Sequence, residues 1–184
     1  MTAPVIHVNG WPGCGKRTIA RALTERIKGR LLDNHLILDP AIALFARGTS
    51  EQKALREAIR GLLYEAVLTL PAEVPIVLTD ALSEDDHDLV APAIDLAERR
   101  GAPFRPILLD LDGPDNARRL TASDRRGTGK RMDPAVLYKI RAEERLLHLP
   151  DAVEIDATAL SAEAAADRIV SSLALDPEDN VARP

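Results

Sequence analysis

Three glycines and a lysine stand close together near the start of this 184-residue sequence: Gly10, Gly13, Gly15 and Lys16, within VIHVNGWPGCGKRT. Glycines at that spacing let the backbone take conformations closed to residues with a Cβ, so that successive N–H groups converge on one point. A helix beginning at Lys16 would aim its unpaired first-turn amides at the same point. The chemistry of such a turn is anion binding, above all of phosphate, with Lys16 reaching toward the β and γ positions of a polyphosphate as a mobile charge. Cys14 lies inside the turn beside the lysine. It is either a reactive thiol, favoured by that electropositive setting, or a small residue that fits a tight turn.

The elements that must position this turn can be read from periodicity. Short β-branched runs alternate with longer stretches of helical spacing, the pattern of a parallel sheet covered by helices on both faces. Strands are expected at 4–8, 30–33, 75–79, 105–110 and 152–156. The first feeds the glycine turn, and a helix from Lys16 to about Lys28 follows it, with Ile19, Leu23 and Ile27 on one apolar stripe and Gly29 as its stop. A helix over 51–70, capped by Ser50, is expected to bury Leu55, Ile59, Leu62, Leu63, Ala66 and Leu70. Ser83 and Asp86 have capping-box spacing ahead of a helix with Leu89, Val90, Ala93, Ile94 and Ala97, ended by Gly101. A short helix is expected from about Pro114. Asp133 and Pro134 start another with Val136, Leu137 and Ile140, and Ser161 caps the last, with Ala165, Ile169 and Leu173. The prediction is an α/β three-layer sandwich, one domain over 1–175, with 176–184 as a frayed tail.

The segment Gly10-x-Pro12-Gly13-x-Gly15-Lys16-x-Thr18 resembles the Walker A loop of the P-loop kinases, in the form found in adenylate-kinase-like proteins. This resemblance implies a P-loop NTPase fold with a lid, and nucleotide contacts from Gly10, Pro12, Gly13, Cys14, Gly15, Lys16, Arg17 and Thr18. The strict motif puts a Mg²⁺-ligating hydroxyl directly after the lysine, where this chain has Arg17 and carries its hydroxyl one place later at Thr18. Trp11 is expected at the surface beside the nucleotide. The likeness also implies that the loop after the fifth strand, Ala157 to Ala159 with Thr158 at its centre, lies along the adenine.

Ligands of open parallel sheets sit beyond the carboxyl ends of the strands, so acids ending strands are candidates. Asp33 ends the second strand and Asp80 follows the third. Shikimate-kinase-like enzymes carry an Asp-x-Asp at the end of the second strand; this chain is similar at Asp33, with His35 where the second Asp would be. Asp33 is expected either to accept the proton of an acceptor hydroxyl or to join the Mg²⁺ shell, with His35 sharing the task. Asp80 resembles a Walker B carboxylate, so the metal candidates are Thr18, Asp33 and Asp80. The segment RRLTASDRRGTGKR, 118–131, holds six cations against one acid. By resemblance it belongs to a lid at about 113–133, in which Arg118 or Arg119 would stack on the adenine and Arg125 or Arg126 would meet the transferring phosphoryl. Segment 34–70 would form the acceptor site. Lys53, Arg56 and Arg60 lie along one flank of its helix, and Arg56 is the candidate for an acceptor phosphate, unless the set is simply an exposed mixed-charge face.

Composition bounds the remainder. With 24 Lys plus Arg against 29 Asp plus Glu the chain is acidic, formal charge −5, which argues against nucleic acid as a partner. Its one Trp, two Tyr and two Phe leave little to stack on bases. No run is long and apolar enough for a membrane span and the first residues do not read as a signal peptide, so a cytoplasmic location is expected. One cysteine excludes an intrachain disulfide. The implied activity is a kinase using ATP and Mg²⁺ on a small molecule: a hydroxyl acceptor, a nucleoside monophosphate, or hydrolysis within a nucleotide-gated regulator.

Overall fold

Period-two alternation on the first strand divides its side chains between two apolar layers, and the whole architecture follows from that division. Strand β1 (Val5–Gly10) sends Ile6 and Val8 to one face of the sheet and Val5 to the other. In the computed structural model, which describes residues 2–121 and 133–175, the first face is covered by α1 (Lys16–Ile27) and α7 (Ala162–Ser172). The second is covered by α3 (Ser50–Leu68) and α4 (His87–Arg100). Strands β2 (Arg30–Asp33), β3 (Ile76–Thr79), β4 (Phe104–Asp110) and β5 (Val153–Asp156) complete a five-stranded sheet in the order β2-β3-β1-β4-β5. All four pairings are parallel. This is the expected three-layer α/β sandwich.

Register lines up the carboxyl ends of the strands. Asp33 sits beside Thr79, Gly10 beside Leu109, and Asp110 beside Asp156. The loops leaving those ends share one edge of the sheet. Helix α1 is fixed beneath the glycine turn by Ile19, Leu23 and Ile27, all buried against Ile6, Val8 and Ile155. Each such side chain contributes about 1.5–3 kcal/mol on burial. Lys28, with φ 53°, takes the left-handed residue at its end, rather than Gly29.

Three expectations need correction. Segment 34–49 contains a helix, α2 (His35–Leu44), with Pro40 inside it. Helix α3 is capped by Thr49, whose hydroxyl accepts from the Gln52 amide. Its buried residues are Gln52, Arg60, Tyr64 and Val67, while Leu62 is 74% exposed. Helix α3 packs on α2 and α4, and its Tyr64 and Val67 join the apolar layer against Val5, Ile76 and Leu78. Trp11 is buried, not at the surface. Its indole N–H donates to Asp110 Oδ1 at 3.0 Å, and the Arg141 guanidinium lies 4.8 Å above the ring.

The remaining caps agree with the sequence. The Asp86 carboxylate accepts from the Ser83 amide ahead of a 3₁₀ turn that runs into α4, and Gly101, φ 63°, ends that helix. Asp133 and Ser161 cap α6 (Pro134–Glu143) and α7. Helix α5 (Gly113–Thr121) opens the expected lid segment. Arg125 and Arg126 lie outside the described residues, as does the tail 176–184.

Candidate functional site

The strand-to-helix turn is shaped by close approach and by handedness. A Cβ on Gly10 would lie 2.5 Å from the carbonyl oxygen of Leu109, so the strand end tolerates no side chain there. Gly13 and Gly15 have φ of 85° and 101°, the left-handed region that only glycine enters cheaply. Lys16 Nζ donates to the carbonyls of Gly10 at 2.6 Å and Trp11 at 2.8 Å, which folds its side chain back along the loop. Cys14 is fully buried beneath the loop, its Sγ 3.9 Å from Lys16 Nζ. That burial favours the packing role over the reactive one.

Helix α5 braces the loop from outside. Asn116 Nδ2 donates to the Pro12 carbonyl at 3.0 Å. Arg119 uses all three of its nitrogens: Nε to Asp115 at 2.9 Å, Nη1 to the Cys14 carbonyl at 3.1 Å, and Nη2 to the carbonyls of Ala157 at 2.5 Å and Thr158 at 3.1 Å. A planar guanidinium spent along its edge keeps its faces for stacking. Arg118 pairs with Asp115 and stays largely exposed. The two arginines hold the Asp115 carboxyl below its ordinary range, the hydrogen bond from Arg118 being the main cause. Thr158 is tied in turn, its hydroxyl accepting from the Asp112 amide and its own amide donating to Asp156.

Beside the loop lies a cavity of about 430 Å³. Its wall brings together most of the residues singled out in the sequence: Pro12, Gly13, Gly15, Lys16, Arg17, Thr18, Asp33, His35, Arg56 and Asp80. Gly10, Cys14, Arg118, Arg119 and Thr158 stand outside this lining, the first two under the loop and the others on its α5 side. The sequence reading missed Arg47 and Thr79 on the same wall. Arg47 precedes Gly48 in the α2–α3 turn, and a cation in a turn gives no signal of its direction.

Asp33 is the most constrained acid of the wall. Its Oδ1 accepts from the Thr79 hydroxyl at 3.1 Å and from the His35 amide at 3.2 Å. Its Oδ2 lies 2.7 Å from Arg17 Nε, a charge contact without the alignment of a hydrogen bond, so that oxygen has no hydrogen-bond donor among the described residues. The His35 ring turns to Asp39 at 2.7 Å. Asp80 Oδ2 meets His7 Nε2 at 3.1 Å, and His7 is buried on β1 with its Nδ1 unpartnered. The buried His7 and Asn9 occupy alternate positions of β1 after Val5, and Asn9 pins Leu82 and Leu147 through their backbones.

Arg56 is half-buried and its Nε has no hydrogen-bond partner among the described residues. Burial, and then the neighbouring Arg60, press its pKa below the ordinary guanidinium value. Lys53, by contrast, is exposed. The cationic flank is therefore split, with Arg56 and Arg60 turned inward and Lys53 left in water. Among the described residues no cluster of three or more acidic, His or Cys side chains forms a ready metal cage, and no helix is long and apolar enough to cross a membrane.

No family model and no curated protein matches the sequence. Solved structures do. A sugar kinase from Janibacter superposes with a TM-score of 0.62 at 21% identity, covering 96% of this chain and 97% of its own. The APS kinase of Mycobacterium tuberculosis, in complex with AMPPNP and APS, gives 0.62 at 17% identity over 94% and 98%. Shikimate kinase from Acinetobacter baumannii, bound to shikimate, gives 0.58 at 19% identity over 99% and 97%. The chain shares the fold of these three proteins. The cavity opens beside the glycine turn, where the carboxyl ends of β1, β2 and β3 meet.

Proposed function

We propose that the chain is an ATP-dependent phosphotransferase that moves the γ-phosphoryl group to a hydroxyl of a small molecule. The observation that carries the reading is Asp33 Oδ2, a buried carboxylate oxygen without an aligned donor, on the wall of a cavity that the P-loop also lines. A buried acceptor in that condition is matched by a ligand that brings its own donor. A substrate hydroxyl does so, and Asp33 then orients it and takes its proton as the oxygen attacks phosphorus.

The donor side follows from the loop. Its amides and Lys16 hold the triphosphate, with Lys16 leaving the carbonyls of Gly10 and Trp11 for phosphate oxygens. Arg119, fixed between the loop and residues 157–160, supports the adenine face, and Thr158 frames it. Arg118, Arg125 and Arg126 remain proposals for the lid. Mg²⁺ keeps several waters and takes one or two carboxylates plus phosphate oxygens. Thr18, Asp33 and Asp80 fit an ion that arrives with the nucleotide, because all three line the cavity and no protein cage is needed. When bound, such an ion neutralises charge on the β and γ oxygens.

A second reading, with a phosphate of a nucleoside monophosphate as acceptor, is favoured by one observation, the unpartnered half-buried Arg56 beside Arg60. A hydroxyl acceptor that also bears an anionic group satisfies both. The test is ADP release from ATP and Mg²⁺ across a panel of alcohols, sugars, hydroxy acids, nucleosides and nucleotides. Asp33→Asn should lower turnover about 10²- to 10⁴-fold with the ATP dissociation constant held within about threefold. Turnover comparable to the unmutated chain sinks the Asp33 assignment. If no panel member accelerates ADP release, the reading becomes that of a nucleotide-gated ATPase.

A further inference from the structure

Arg17 stands where the strict P-loop motif has a hydroxyl, and the structure gives it a different partner. Its Nε lies 2.7 Å from Asp33 Oδ2, which joins the nucleotide loop to the acceptor compartment by one ion pair. The two ends differ in freedom. The Asp33 side chain is 6% exposed and pinned through Oδ1 by Thr79 and His35, whereas the Arg17 side chain is 47% exposed. Among the described residues no hydrogen bond holds the two Nη nitrogens of Arg17. Release of Oδ2 therefore requires only that Arg17 swing away.

We infer that Arg17 is a gate on Asp33, covering Oδ2 until an acceptor displaces it and so suppressing transfer of the phosphoryl group to water. The inference rests on the phosphotransfer reading above. Its logic is differential binding. A substrate hydroxyl arrives with the rest of its molecule, whose contacts on the cavity wall provide the free energy to displace the guanidinium. A single water has no such contacts. With Nε 2.7 Å from Oδ2, the ion pair stands between that oxygen and either a hydroxyl or a water until Arg17 moves aside. In the suppressed side reaction a water oxygen bonds to the γ-phosphorus and the bond from that phosphorus to the β–γ bridging oxygen breaks. ADP leaves with the electron pair, the water proton passes to Asp33 Oδ2, and inorganic phosphate is released. The proton transfer in that reaction needs Oδ2 uncovered.

The test needs no knowledge of the acceptor. ADP release is measured with the full chain, ATP and Mg²⁺, with no acceptor present. Arg17→Gln should raise it about three- to tenfold at saturating ATP, the range expected for loss of one partly exposed ion pair. Saturating ATP keeps any change in nucleotide affinity out of the comparison, and the melting temperature should stay near that of the unmutated chain. Arg17→Lys, which keeps the charge, should restore most of the suppression, a rescue that a purely structural role does not require. Asp33→Asn added to Arg17→Gln should remove the gain. Unchanged or lowered ADP release in Arg17→Gln overturns the gate, and so does a gain that survives in the double variant. If the unmutated chain binds no ATP, the phosphotransfer reading fails and the gate with it; if it binds ATP and only the Arg17 effect is missing, the gate alone fails.

Discussion

Arg119→Ala tests whether the P-loop is held in shape from α5. The guanidinium donates to one carboxylate and to the backbone of two loops that are distant in sequence, so its removal frees the carbonyls of Cys14, Ala157 and Thr158 together. A hydrogen bond from a charged donor contributes about 1.5–3 kcal/mol. Counting every contact at that value would approach the whole stability of a domain, about 5–15 kcal/mol, which is too much. Two features reduce it. Nη2 has only two N–H groups for the acceptors it faces, and the side chain is 24% exposed, so water can replace part of what is lost. A net loss of about 2–4 kcal/mol is expected, which for a chain of this size lowers the melting temperature by roughly 4–16 °C. Calorimetry with ATP titration separates stability from function. ATP affinity should fall as well, because the Cys14 carbonyl and residues 157–160 border the proposed nucleotide site. Arg119→Lys should recover little, since a point charge on a flexible stem cannot span acceptors on both sides. A melting temperature within about 1 °C of the unmutated chain, with unchanged ATP affinity, would refute the reasoning.

Other expectations concern packing and pH. Leu62→Glu should cost less than about 0.5 kcal/mol because Leu62 is exposed, while Tyr64→Ala should cost about 3 kcal/mol or more; urea melts of the two variants decide which face of α3 is inside. The Asp115 carboxyl is depressed by Arg118 and Arg119, so its stabilisation is present above the unfolded carboxyl pKa, about 3.9, and is lost as pH falls through the lower folded value. Asp115→Asn should therefore lower the melting temperature at pH 6 and converge with the unmutated chain near pH 2–3, as read from melts across that range.

The parts of this molecule set by backbone constraint were legible in the sequence, and those set by side-chain direction were not. Gly13 and Gly15 announce their left-handed residues by being glycines, and the helix caps at Asp133, Ser161 and Gly101 follow from local hydrogen bonding. Strand order ends came within two residues for the same reason, since each strand is a short β-branched run closed by a turn. Helix α3 shows the limit. Its leucines and isoleucines satisfy a helical stripe on paper, yet Gln52, Arg60 and Tyr64 are the residues turned inward. Nothing local distinguishes the two solutions. Trp11 failed in the same way: a large residue in a loop was read as exposed, while Asp110 on β4 and Arg141 on α6, both distant in sequence, enclose it.

The acidic formal charge of −5 gains a different meaning once the cavity is in view. Of the cations on its wall, Lys16 is folded onto loop carbonyls and Arg17 onto Asp33, while Asp80 is matched by His7. Arg47 and Arg56 form no ion pair with a carboxylate among the described residues. Positive charge is thus left unspent on the Arg47 and Arg56 side of the cavity, where burial and Arg60 already disfavour the charged form of the Arg56 guanidinium. A ligand oxyanion would relieve that cost. In the proposed phosphotransfer, a small anionic acceptor would fit a cavity of about 430 Å³ and present its hydroxyl to Asp33. Selectivity for a compact acceptor then comes from the same burial that leaves Arg56 without a partner.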